Sequence, residues 1–186
     1  MTSPASVFED VSPVSVSDAL ASQFTVGVDL GQSFDPTAVA IVRRVEGTSE
    51  RPTIYQVGHL ERLPLQTSYV RQVDYVASLM ARMRGPTELV CDATGVGRAI
   101  VDLFAVRGLS PIGVTITAGD AVTSEALHFH VPKLNLVSRL QALLHNGQLK
   151  IHKGLAEAAT LVQELESFRA EAVSYTHLRA HETGRN

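Results

Sequence analysis

The chain has 186 residues, of which 45% are hydrophobic and 19% are charged, and its formal net charge at pH 7 is −3. These values predict one globular domain with a substantial core, no broad basic coat for nucleic acid and no membrane segment, because no apolar run approaches about 20 residues. The N-terminus lacks a signal-peptide pattern and Cys91 is the single cysteine, so a cytoplasmic protein without disulfides is expected.

The domain is predicted to begin with three strands that short turns connect. Residues 1–23 are rich in Ser, Val, Pro and Ala and have little periodicity, which indicates a flexible leader or the stub of a linker from an upstream segment. Apolar and alternating runs then predict strands over residues 24–29, 37–45 and 53–62. Consecutive strands with short connections normally form an antiparallel meander.

Helices and strands alternate in the rest of the domain. Apolar residues at helical spacing from Tyr69 to Met83 predict a helix that Gly85 and Pro86 end. Residues 117–130 are expected to be a polar loop. The further predicted elements are strands over residues 87–91 and 112–116, a short strand over 149–152, and helices over about 96–107, 132–146 and 155–168. The helix that follows Pro132 is expected to pack its stripe of Leu134, Val137, Leu140 and Leu144 in the core.

This order predicts an α/β fold with a mixed five-stranded sheet: a meander of three antiparallel strands, then parallel strands, with helices on its faces. Because strand–helix–strand crossovers are right-handed, the fourth strand is parallel to the first or to one of its neighbours. Residues 173–186 break the preceding pattern. The eleven residues from Val173 to Thr183 match one reading frame of a transposon-derived sequencing adapter. We therefore expect this tail to be non-native and the domain, incomplete at its C-terminus, to span residues 24–172.

Two of the predicted strands end in an aspartate that a glycine-containing turn follows. Asp29 ends the first strand before Gly31, and Asp92 ends the fourth. One such aspartate is equally well explained as a turn residue. The repetition favours a site, because open α/β sheets hold ligands at the carboxyl ends of neighbouring strands. Thr25 and Gly27 share the face of Asp29 and are small, which leaves room beside its carboxylate.

The chemistry that suits two adjacent carboxylates is divalent metal binding. Their mutual repulsion is removed by a bound cation, and hard oxygen ligands select Mg²⁺ or Mn²⁺. Two such ions about 3.5–4 Å apart can activate a water molecule and stabilise the leaving oxygen of a phosphodiester. The turn from Gly95 to Gly97 opens the following helix, and its backbone N–H groups could accept a phosphate there.

Three segments of the chain resemble one known family. They are Val90–Gly97 (Val-Cys-Asp-Ala-Thr-Gly-Val-Gly), Val114–Asp120 (Val-Thr-Ile-Thr-Ala-Gly-Asp) and Val131–Val137 (Val-Pro-Lys-Leu-Asn-Leu-Val). With the aspartate at the end of the first strand, they resemble the RNase H-like nuclease domain of phage large terminase subunits over roughly residues 24–169.

The resemblance implies an RNase H-like fold and a metal-dependent DNA endonuclease that cuts phage DNA during packaging. Asp29 and Asp92 match the first two metal-binding acids of the family, with two Mg²⁺ or Mn²⁺ ions as cofactors. The implied partners are double-stranded DNA and a terminase ATPase, small subunit or portal, in the cytoplasm of a phage-infected or prophage-carrying bacterial cell.

The chain departs from the family pattern in two places. The third acid of the family lies in a more C-terminal helix, and nothing in this chain matches it. The family carries an ATPase domain upstream, whereas this chain has no G-x-x-x-x-G-K-[ST] phosphate loop. A stand-alone nuclease and a nuclease whose ATPase is a separate chain both stay open.

Several other residues are weaker candidates. Asp35 could approach the metal from the first turn, although Asp-Pro is more simply a turn, and Asp120 is an acid in a predicted loop. His128 and His130 share a strand-like face, but no third ligand accompanies them. The cations that could meet DNA phosphates are Arg98 and Lys133, which flank the predicted site, followed by Arg139, Lys150 and Lys153.

Two further function classes stay open. One is a non-catalytic packaging scaffold or nucleic-acid-binding module that keeps the fold without the chemistry. The other is an actin-like ATPase or sugar kinase, because Val26–Gly31 resembles the first phosphate loop of that superfamily. Those enzymes clamp ATP between two copies of the core, and this chain holds only one copy.

Overall fold

The computed structural model of the protein describes residues 8–9, 23–31, 33–94 and 97–165. Within these residues nine strands form one sheet, and helices pack on it. The strands are β1 (Phe8–Glu9), β2 (Gln23–Asp29), β3 (Ala38–Val45), β4 (Ile54–Arg62), β5 (Thr87–Asp92), β6 (Ile112–Thr117), β7 (Thr123–Glu125), β8 (His128–Pro132) and β9 (Leu149–His152). The helices are α1 (Tyr69–Arg82), α2 (Gly97–Val106), α3 (Lys133–His145) and a fourth, α4, described over residues 158–165.

The sheet is mixed, and its strand order is β1-β9-β4-β3-β2-β5-β6-β8-β7. The predicted meander is confirmed, because β2 pairs antiparallel with β3 and β3 antiparallel with β4. On the other side of β2, β5 and β6 continue the sheet in parallel, also as predicted. The α/β class is therefore confirmed, and of the two places left open for the fourth predicted strand, the structure has the one beside the first.

The prediction of a five-stranded sheet is wrong. Residues 117–130, predicted as a polar loop, contain the hairpin of β7 and β8, and β8 pairs in parallel with β6. The hairpin turns at Ala126, whose φ is 51°. No Asn-Gly or Asp-Gly pair marks this turn, and three exposed residues in β7 are too few to show alternation. The free edge of β6 supplies the hydrogen-bonding partners that local sequence did not indicate.

Two further strands extend the opposite edge of the sheet. The short strand predicted over residues 149–152 is confirmed as β9, which pairs in parallel with β4. Beyond it lies β1, a two-residue strand inside the segment predicted as a flexible leader. The rest of that leader and the tail of residues 173–186 lie outside the described residues.

Two apolar clusters pack on opposite faces of the sheet. The helix α1 and the helix α2 cover the face that carries Val26, Val28, Leu89 and Cys91, which alternate along β2 and β5 with residues of the other face. The other cluster joins β4 and β9 to α3 and α4 through Val57, Leu149, Ile151 and Ala158. Helices on both faces of a sheet with parallel strands make this a layered α/β domain.

The helix α3 is predicted correctly, but its burial is not. Leu144 packs on the second cluster, whereas Leu134 is 67% exposed and Leu140 is 36% exposed. The helix starts directly after β8 and leads towards β9 on the far side of the sheet, so its last turn, and not its first, reaches that cluster. In the part of the chain that the structure describes, no helix is both long and apolar enough to cross a membrane.

Candidate metal centre

Asp29 and Asp92 lie at the carboxyl ends of β2 and β5, two neighbouring parallel strands, and therefore on the same side of the domain. In the register of β2 with β5, Gly27 lies beside Val90 and Val28 beside Cys91. The next residues along the two strands are Asp29 and Asp92. Because neighbouring strands lie about 4.8 Å apart, the two carboxylates project side by side from the carboxyl ends of their strands. This is the arrangement that the strand-end pattern predicted.

The electrostatics of Asp29 show that the carboxylates interact. The pKa of Asp29 is raised, first by burial and then by the negative charges of Asp92 and Asp35. Asp29 is an exposed residue, yet protein atoms surround enough of its carboxyl group for burial to be the largest cause. The site therefore disfavours a second negative charge, and a cation bound between the carboxylates would relieve that cost.

The same field acts on the thiol of Cys91, which lies next to Asp92 in the chain. Burial raises the pKa of Cys91 to about 12, and the charges of Asp92 and Asp29 add to the shift. The side chain is 1% exposed and belongs to the core packed under α1 and α2. Burial and the neighbouring negative charges therefore favour the protonated thiol, and Cys91 is part of the core.

The carboxylate of Asp92 is held by Thr94, two residues further along the chain. The backbone N–H of Thr94 donates to Asp92 Oδ1 at 2.8 Å, and the Thr94 hydroxyl donates to the same oxygen. The hydroxyl in turn accepts a hydrogen bond of 2.9 Å from the backbone N–H of Ile116 in β6. Asp92 is thus oriented by a local turn that a third strand braces.

The loop after Asp29 is held instead by two residues that lie further away in the sequence, Thr37 and Gln72. The Thr37 side chain, 1% exposed, accepts from the N–H of Gly31 at 3.1 Å and donates to the Gly31 carbonyl at 2.9 Å. Gln72 of α1, also 1% exposed, donates through Nε2 to the carbonyls of Gly31 and Thr67, both at 2.7 Å. Two buried polar side chains therefore fix the point at which the chain leaves β2.

In the loop after Asp29, the backbone of Gly31 lies so close to the backbone of Asp35 that only glycine fits at position 31. A Cβ atom there would lie 2.0 Å from the carbonyl oxygen of Asp35. The chain folds back tightly, and this brings the charge of Asp35 close enough to raise the pKa of Asp29. Asp35 is therefore electrostatically part of the site, as the sequence suggested it could be.

The described residues leave space on the sheet at Gly27, beside Asp29. Gly27 lies two residues before Asp29 on the same face, and a Cβ atom there would meet only the Ala40 carbonyl oxygen, at 3.9 Å. Gly27 and Thr25 are half-buried. Among the described residues, the predicted room beside the carboxylate is present at Gly27.

The carboxylate pair fits one Mg²⁺ or Mn²⁺ ion, because Mg²⁺ takes one or two protein carboxylates and fills its other positions with water and substrate oxygens. A full two-ion centre needs more donors. Within residues 8–9, 23–31, 33–94 and 97–165, no group of three or more His, Cys, Asp or Glu side chains could hold a metal ion. Asp35 thus contributes charge to the site without completing such a group.

The structure describes only some of the residues that were predicted to bind phosphate. Gly95 and the side chain of Arg98 lie outside the part of the chain that the structure describes, and Gly97 is the first residue of α2. Lys133 is an exposed residue at the start of α3. Asp120 is exposed in the connection between β6 and β7. Thr94 donates two hydrogen bonds to the carboxylate of Asp92.

The two histidines do not form a metal site with other described residues. The ring of His128 lies over Gly113, where an added Cβ atom would be 2.8 Å from its Nδ1 atom. His128 therefore fills the space that Gly113 leaves on β6. His130 lies two residues further along β8, paired with Thr115 and Thr123. The contact with Gly113 gives His128 a structural role.

Sequence reasoning missed three residues that shape the site. Thr94 carried a usable signal, because Asp-x-Thr is a common side-chain-to-backbone turn motif. Thr37 and Gln72 carried none, since their partner Gly31 lies 6 and 41 residues away. Only the packing of α1 against the sheet brings Gln72 to that loop.

No family model matches the chain, and no curated protein matches it significantly. The geometry of the carboxylate pair is therefore the main indication of function. That geometry places two hard oxygen ligands side by side at the carboxyl ends of two parallel strands, the position at which α/β sheets commonly hold ligands.

Proposed function

We propose that this protein is a Mg²⁺- or Mn²⁺-dependent DNA endonuclease that hydrolyses phosphodiester bonds. The observation that carries the proposal is the electrostatically coupled pair, Asp29 and Asp92, at the carboxyl ends of adjacent parallel strands. Repulsion between two carboxylates without a cation costs stability, so a protein that retains the pair benefits from binding one.

In this proposal Asp29 and Asp92 hold the metal, and the space on the sheet at Gly27 admits the substrate. A divalent ion held there would activate a water molecule and offset charge on the phosphate, and the second ion of a two-ion centre would need donors beyond Asp29 and Asp92. Asp35 contributes negative charge that favours cation binding. The turn from Gly95 to Gly97 and the side chains of Arg98 and Lys133 are the proposed contacts to the DNA backbone.

The finer proposal is an RNase H-like nuclease of the phage terminase type. The inner strands, in the order β4-β3-β2-β5-β6, have the meander and the two parallel strands that the resemblance implied. Double-stranded DNA is then the substrate, and a packaging ATPase, small subunit or portal is the partner. The proposed setting is the cytoplasm of a bacterial cell that contains the phage or prophage.

The first test measures metal binding and cleavage together. Mn²⁺ and Mg²⁺ should raise the melting temperature by mass action and support slow cleavage of supercoiled plasmid. Asp29→Asn and Asp92→Asn should each abolish both effects. The matched control is Glu50→Gln, an exposed carboxylate in the turn between β3 and β4, at the opposite end of β3 from the site. Cleavage that persists in Asp29→Asn would show that the activity belongs to a contaminant.

A second candidate function is a non-catalytic nucleic-acid-binding or scaffold module. The observation that favours it is that the described residues contain no group of three metal-ligating side chains. The same experiment separates the two functions. If metal binds and depends on Asp29, yet no phosphodiester is cut in Mg²⁺ or Mn²⁺, the binding module is the better account. If no metal binds, the endonuclease proposal is wrong.

A further inference from the structure

We propose that Thr94 is a positioning residue for the metal site: it fixes the rotation of the Asp92 carboxylate so that one oxygen stays available to the cation. This inference rests on the proposed metal-dependent function and assigns a role in it to a residue outside the carboxylate pair. The role depends on three hydrogen bonds that converge on the turn after β5.

The direction of each hydrogen bond follows from chemistry. An ionised carboxylate can only accept, so the Thr94 hydroxyl must donate its single proton to Asp92 Oδ1. A backbone N–H can only donate, so the same hydroxyl must accept from Ile116, at 2.9 Å. The hydroxyl is therefore fully oriented, with one bond on each side. Valine at this position could supply neither bond.

The consequence for Asp92 is a carboxylate that cannot rotate freely. Both bonds from Thr94, one from the hydroxyl and one from the N–H at 2.8 Å, end on Oδ1. Hydrogen bonds to an ionised acceptor are roughly twice as strong as neutral ones, so rotation that breaks them is disfavoured. The other oxygen, Oδ2, is thereby held in one direction as the metal-binding oxygen.

The bracing by β6 distinguishes this arrangement from an isolated turn. The N–H of Ala93 donates to the carbonyl of Val114 at 2.8 Å, and Ile116 holds the Thr94 hydroxyl. The turn after Asp92 is thus attached to the neighbouring strand at two successive residues. Partners that orient a metal ligand in this way typically change metal affinity by about 10–100-fold when they are removed.

The alternative is that Thr94 only stabilises the turn. The two roles differ in what they predict for a folded variant. A turn-stabilising threonine affects the melting temperature of the metal-free protein but leaves metal affinity unchanged. A positioning threonine lowers metal affinity even at a temperature where every variant is folded.

The experiment measures Mn²⁺ affinity by isothermal titration calorimetry and metal-free stability by thermal melting, on the full chain. We expect Thr94→Val to raise the Kd for Mn²⁺ by about 10-fold or more, in line with other ligand-orienting residues. Thr94→Ser keeps the hydroxyl and should restore the affinity. Thr123→Val is the matched control, because Thr123 is exposed on β7.

Each outcome decides the proposal. Unchanged affinity in a folded Thr94→Val variant, with or without a lower melting temperature, overturns the positioning role and leaves the metal site intact. If Thr94→Val does not fold, Thr94→Ala is measured in its place, and unchanged affinity there has the same meaning. If the unaltered chain binds no Mn²⁺, the proposed metal site itself is wrong, and the role of Thr94 is wrong with it.

Discussion

The turns that follow Asp29 and Asp92 hold equivalent acids in different ways. Thr94 orients Asp92 from two residues away, and β6 braces it. The loop after Asp29 is fixed instead by Thr37 and by Gln72, a buried residue of α1 that lies far along the chain. The position of the Asp92 carboxylate therefore depends mainly on a residue close to it in the sequence, whereas the loop after Asp29 depends on the packing of α1. Damage to α1 should disturb Asp29 before it disturbs Asp92.

The largest effect that tests this comparison should come from Gly31→Ala. The added Cβ atom would lie 2.0 Å from the Asp35 carbonyl, so the loop after Asp29 must move. We expect a loss of about 3 kcal/mol in the free energy of unfolding, typical of overpacking against backbone that cannot give way, and a loss of metal binding.

Gly58→Ala is the matched control for this substitution. An added Cβ atom at Gly58 meets nothing within 4 Å. Urea denaturation should therefore find Gly58→Ala near or slightly above the stability of the unaltered chain. Equal stability of the two alanine variants would show that the loop after Asp29 adapts without cost and is not held as described.

The next effect in size should come from Gln72→Leu. The substitution keeps the bulk of the side chain but leaves the carbonyls of Gly31 and Thr67 without their Nε2 donor. We expect a loss of about 1–2 kcal/mol, because the Thr67 carbonyl loses its donor while the Gly31 carbonyl keeps the hydrogen bond from the Thr37 hydroxyl, and Gln72 Oε1, itself buried without a partner, is removed at the same time.

Metal binding in Gln72→Leu shows whether α1 shapes the metal site as well as supporting the fold. Gln141→Leu, at a half-buried position of α3, is the control for exchanging a helical glutamine. Mn²⁺ affinity should fall in Gln72→Leu and stay unchanged in Gln141→Leu. If Gln72→Leu lowers the melting temperature but binds Mn²⁺ normally, α1 supports the fold without shaping the site.

The smallest effect, and one of opposite sign, is expected for Asp29→Asn without metal. The pKa of Asp29 is raised in the folded protein above 3.8, so ionised Asp29 destabilises the fold. This penalty is absent below pH 3.8 and grows as pH rises towards and through the folded pKa. Asp29→Asn removes it and should raise the melting temperature slightly at pH 7.

Two comparisons check that result. At pH values below 3.8 the stabilisation by Asp29→Asn should disappear, because Asp29 is then protonated in both states. Asp92→Asn should raise the melting temperature less than Asp29→Asn does, because it loses the charge-assisted hydrogen bonds from Thr94. A greater rise for Asp92→Asn than for Asp29→Asn would mean that Asp92 carries most of the unfavourable charge.

Much of the fold was predictable because its elements obey local rules. The alternation in β2 and the helical spacing in α1 indicated Gln23–Asp29 and Tyr69–Arg82 to within one residue. The hairpin of β7 and β8 was missed, since its turn at Ala126 carries no turn signal and its partner is the edge of β6. Leu134 was wrongly placed in the core, because spacing shows that a helix has an apolar stripe and not that something covers it.

Local sequence was sufficient to predict most of the strands and helices, and that two strands end in an aspartate, because side-chain periodicity and turn chemistry act over a few residues. Tertiary structure alone decided that β2 and β5 are neighbours in register, which brings Asp29 beside Asp92. It also brought Gln72 to Gly31 and Ile116 to Thr94. These contacts join residues 22 to 63 positions apart, and they form only when helices and strands bury their apolar faces together.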